Sequence, residues 1–111
     1  MLPFLGILAA IVAFAVLTCW DEIVDWFRDL LEALMPLIRR AMAGVQVFAK
    51  RLKDAVVEFI SKEYYKDKGE WIEETTKRHI DESEVPEHIL RQTNKYRLKD
   101  VTEAMEQELE D

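Results

Sequence analysis

The sequence predicts a mainly α protein. A single N-terminal transmembrane helix continues into a long amphipathic, heptad-patterned helix. A small head of one β-hairpin and short helices follows, and the chains pack as a parallel homo-oligomeric bundle. Three features predict this. Residues 2–20 carry no charged side chain. From Gly6 to Phe59, alternating steps of three and four land only on apolar residues or glycine. Asp67-Lys68-Gly69 lies between runs rich in aromatics, Thr and Ile, which marks a hairpin turn. The expected divisions are an anchor over 1–20, a coiled-coil-like helix over 21–61 and a head over 62–111.

The anchor rests on length, because roughly 20 apolar residues span the hydrocarbon core as a helix. Trp20 followed by Asp21 and Glu22 reads as an interface anchor and an exit into water. A cleaved signal peptide would need basic residues ahead of the apolar run, and none precede it. Thr18 before Cys19 fits a lipoprotein site poorly. The remaining alternative is a helix buried in a larger assembly. Arg28, Arg39 and Arg40 follow the span, which places the C-terminal region in the cytoplasm.

Within the span the seam residues are small: Gly6, Ala10 and Ala13, then Leu17. Close approach at such residues is what holds helices together in lipid. The seam continues through Val24, Phe27, Leu31, Leu34, Ile38, Val45, Phe48, Leu52 and Phe59. Flanking apolar positions widen it, as expected for more than two helices. Pro36 removes a helix hydrogen bond and is a candidate hinge, with Gly44 as a second. A fold-back at Pro36 competes with continuation, but no polar turn residues surround Met35. Arg39, Arg40, Lys50, Arg51 and Lys53 form a basic group that would meet lipid phosphates if the helix bent towards the bilayer.

Beyond Lys62 the hairpin should place Ile72, Thr76 and Ile80 on one face, with Gly69 supplying positive φ. Trp71, Tyr64 and Tyr65 are expected in a small core. Pro86 suits the start of a short helix through Arg91. Asp100 and Glu103 should open a last helix with Val101, Met105 and Leu109 on one stripe.

The 111 residues carry a formal net charge of −7, which argues against a nucleic-acid partner. One cysteine and two histidines, His79 and His88, provide neither a disulfide framework nor a zinc ligand set. No phosphate loop or nucleophile–base arrangement stands out, so the chain is expected not to be an enzyme and to need no cofactor. Its expected partners are the lipid bilayer, copies of itself and a cytoplasmic protein. The expected function is a membrane-anchored, self-assembling scaffold that presents its head to a partner. The alternative is a small homo-oligomeric membrane pore or membrane-disrupting effector with the spans around a central axis.

Overall fold

The computed structural model describes residues 7–110, with side chains from Phe14 onward. Helices pack on one face of a five-stranded sheet of order β1-β4-β3-β2-β5. In chain order the elements are β1 (Ile7–Val16), α1 (Trp20–Ile38), β2 (Ala43–Leu52), β3 (Val56–Asp67), β4 (Glu70–Asp81), a 3-10 turn (Glu82–Glu84), α2 (Glu87–Leu90), β5 (Lys99–Asp100) and α3 (Thr102–Glu110). β1 pairs parallel with β4, and the other pairings are antiparallel. It follows that β1 and β2 run the same way, with α1 carrying the chain across the two strands between them.

The apolar run that predicts a membrane helix is therefore largely strand. Periodicity cannot separate the two for an uncharged run, because every face of it is apolar. Its β-branched Ile7, Ile11, Val12 and Val16 suit a pleated strand. Among the described residues, no helix is long and apolar enough to cross a membrane. That overturns the single-pass membrane placement with a cytoplasmic C-terminal region, and with it the anchored scaffold and the ring-shaped pore.

The long heptad helix is corrected too. α1 ends at Ile38, where Met42 N–H donates to Leu37 O at 2.8 Å and Ala41 N–H to Ile38 O at 2.9 Å. This is a Schellman closure, with Ala41 in the left-handed region at φ 58°. Pro36 lies in the last turn of α1, two residues before the stop, so it does not divide two long helices. Gly44 is strand residue opposite Tyr64 rather than a helix hinge.

Past Met42 the alternation is the period-two pattern of a sheet. Val47 and Ala49 on β2 and Val57 and Phe59 on β3 point inward and are buried. The seam is thus divided. Leu17 precedes α1; Val24, Phe27, Leu31, Leu34 and Ile38 belong to α1; Val45, Phe48 and Leu52 belong to β2; Phe59 belongs to β3. Ala10 and Ala13 are on β1, and Gly6 lies outside the described residues.

The core joins Ile23, Trp26 and Phe27 of α1 to the inward sheet residues, to Ile89 of α2, and to Val101, Ala104 and Met105 around α3. The β3–β4 hairpin turns at Lys68-Gly69, with φ 52° and 84°, the double positive φ that a two-residue loop needs. Asp100 Oδ1 caps α3 by accepting from Thr102 N–H at 2.9 Å and from its hydroxyl at 2.6 Å. The expected aromatic cluster is replaced by an exposed Trp71, placed on the sheet face away from the helices.

Candidate binding cleft

The helical periodicity of α1 puts Glu22, Asp25, Trp26, Asp29, Leu30 and Ala33 along one side of the helix. That side borders a cleft of about 530 Å³, closed opposite by Leu17 and by Thr76 and Arg78 of β4. A volume of this size holds a small molecule.

Arg78 reaches the cleft because β4 alternates. It shares the inward face with Ile80, opposite Phe59 on β3 and Ala15 on β1. The small Ala15 leaves the guanidinium room beneath α1. The guanidinium carbon lies 5.3 Å from the centroid of the Trp26 ring. One nitrogen, Nη1, donates to the adjacent Lys77 carbonyl at 3.0 Å. Among the described residues Arg78 has no carboxylate partner. Trp26 is only 9% exposed, and its indole N–H is buried without an acceptor among the described residues. An orphaned buried donor costs about 1–3 kcal/mol. The inner end of the cleft thus offers the Arg78 guanidinium as its hydrogen-bond donor.

Its outer rim is acidic. Glu22 is committed to the start of α1, where Oε1 accepts from Thr18 N–H at 2.8 Å, from the Thr18 hydroxyl at 2.6 Å and from Cys19 N–H at 3.2 Å. The Thr18 bonds above all hold its pKa below the usual carboxylate value. Asp25 pairs with Arg28 at 2.8 Å on an exposed surface. Asp29 is exposed, with no ion pair among the described residues.

Behind the cleft lies a sealed polar row. Glu63 is 2% exposed and faces Glu74 across the β3–β4 ladder. Burial, then the neighbouring Glu74 charge, pushes its pKa up, while Ser61 and Arg78 pull against this. The Ser61 hydroxyl donates to Glu63 Oε2 at 2.8 Å and is hydrogen-bonded to the Thr76 hydroxyl. Because Ser61 has one proton, Thr76 is the donor in the second bond while Glu63 is ionised. Tyr65 donates to Glu74 Oε1 at 2.8 Å, a bond that raises the phenol pKa.

The basic residues expected at a lipid surface are split in two: Lys50, Arg51 and Lys53 border one surface depression with Lys95, apart from Arg39 and Arg40. Arg39 and Arg40 are exposed just past α1, Lys53 is in the β2–β3 turn, and Lys50 faces Glu58 on the outward face. Arg51 points inward and ties down the segment before β5. Nε donates to the Thr93 hydroxyl and Nη2 to Leu90 O, each at 2.9 Å. His79 contacts Glu58 Oε2 at 2.8 Å, and His88 contacts Glu108 Oε2 at 3.1 Å. No group of three or more metal-ligating side chains exists among the described residues.

Sequence reading places Trp26 and Arg78 on a helix and a strand but has no means to join them. The fold and the cleft together define a two-layer α+β domain with an open amphipathic cleft at the helix–sheet boundary. No protein-family model, curated protein or solved structure matches the chain.

Proposed function

We propose that this domain is a small-molecule binder whose cleft takes a zwitterion with an apolar side chain, of amino-acid or dipeptide size. The carrying observation is the Arg78 guanidinium over the Trp26 ring, without a carboxylate partner among the described residues, at the inner end of an acid-rimmed cleft. A ligand carboxylate seated there gains a charge-assisted contact to Arg78. Its ammonium group would lie towards Asp25 and Asp29, and its side chain against Leu17, Leu30 and Ala33. The acidic rim disfavours a ligand of purely negative charge.

The reading is a binding rather than a catalytic one. Glu63, the carboxyl with the raised proton affinity, is sealed away and reaches the cleft only through Ser61 and Thr76.

Titration of the chain with apolar amino acids and their dipeptides, followed by amide chemical shifts, tests this. Saturable binding with shifts centred on Trp26 and Thr76 is expected. It should weaken roughly tenfold or more when the ligand is N-acetylated or C-amidated. Equal binding of the N-acetylated form would reject the zwitterion, and no saturable binding across the panel would reject the site.

A further inference from the structure

The two edges of the sheet are built differently. On one side β2 is covered: β5 pairs with Phe48 and Ala49, Val101 N–H donates to Val47 O at 2.8 Å, and Arg51 N–H donates to Asn94 O at 3.0 Å. On the other side β1 is the outermost strand, ten residues long, without a charge, proline or glycine; its register against β4 shifts between Ile7 and Ala10 and is continuous from Ala10 to Val16. Edge strands are normally blunted by such residues or by short length, because an open edge templates pairing with another strand. Among the described residues, β1 pairs on its β4 side alone.

We infer that the free edge of β1 pairs antiparallel with β1 of a second copy, making one continuous ten-stranded sheet across a two-fold axis. A second β1 matches this edge in length and brings no like charge of its own to the junction. Isologous pairing lets one edge serve both subunits and closes the assembly at two.

Side chains on the outward face agree. Phe14 is 57% exposed and Val16 69%, both at the C-terminal end of β1. Trp71, 37% exposed, adjoins the N-terminal end of β1, where it pairs with Ile7. Antiparallel pairing about a two-fold axis perpendicular to the sheet keeps both outward faces on one side. It brings Phe14 and Val16 of each copy to the end of the sheet where Trp71 of the other is exposed. The three exposed residues then form one apolar strip across the junction. Because each copy carries a net charge of −7, repulsion opposes association, and added salt should tighten it.

Sedimentation equilibrium of the full chain over a concentration series tests the inference. A monomer–dimer equilibrium that strengthens with salt is expected. Phe14→Lys and Val16→Lys, at exposed positions, should each weaken it roughly tenfold or more while the circular dichroism spectrum is retained. In a Cys19→Ser background, Val12→Cys at the middle of the strand should yield an oxidised, covalent dimer; this readout holds even if a lysine variant fails to fold. A monomer throughout, a dimer indifferent to both lysines, or assemblies larger than two would each overturn the inference.

Discussion

Glu63 is a buried carboxyl whose proton affinity the fold raises. Folding raises its pKa above the ordinary carboxylate value of 4.5, by burial first and by Glu74 second. Between those two values the native state holds a proton that the unfolded chain has released. Stability therefore falls as pH rises through that window, and the cost of the ionised form remains above it. Glu63→Gln, neutral at every pH, should stabilise the domain near pH 7 and lose that advantage below about pH 4. Denaturant midpoints of both proteins at the two pH values check this. Arg78→Met keeps the stem that packs on Trp26 but removes the charge. Under the proposed reading it should cost binding about 2 kcal/mol, measured by the same titration. None of this is legible in sequence, because the members of the row come from two strands and touch only once their register is set.

At the scale of elements, α1 is ended by local chemistry that nearly suffices. Ala41 occupies the left-handed position of the Schellman closure, which costs a residue with a Cβ about 1 kcal/mol relative to glycine. Ala41→Gly should raise the melting temperature by about 4–8 °C for each kcal/mol gained in a domain near this size. Calorimetry would register an unchanged or lower midpoint if the strain were absent. The turn at Lys68-Gly69 is readable from sequence because two residues determine it. The α3 start is readable through Asp100, although its carboxylate accepts from Thr102 rather than forming the capping box expected with Glu103. The long helix expected past Pro36 is not what forms. Val45, Val47, Ala49 and then Val57 and Phe59 also satisfy period two, and pairing of β2 with β3 satisfies their backbone groups across a whole ladder.

For the whole molecule, the C-terminal segments complete the fold. Val101 N–H and the Thr102 hydroxyl occupy the Val47 backbone groups, and Trp20 Nε1 donates to Glu108 Oε1 at 2.8 Å, joining α1 to α3. Arg51 fixes the loop between them with two charge-assisted bonds, which lysine cannot reproduce as a fork. Arg51→Lys should therefore destabilise by about 1–2 kcal/mol, read as a lower urea midpoint with an unchanged slope. The sequence by itself determined the amphipathic α1, the hairpin turn at Gly69, the last helix and its cap, and the acidic balance. Each follows from neighbours within a few positions, where turn chemistry and periodicity act. Only the tertiary structure decided that residues 7–16 extend as a strand, that the apolar stripe is shared between a helix and two strands, and that Arg78 meets Trp26. An uncharged run satisfies helix and strand alike, so the choice passes to whichever arrangement pairs its backbone groups, and here that is β4.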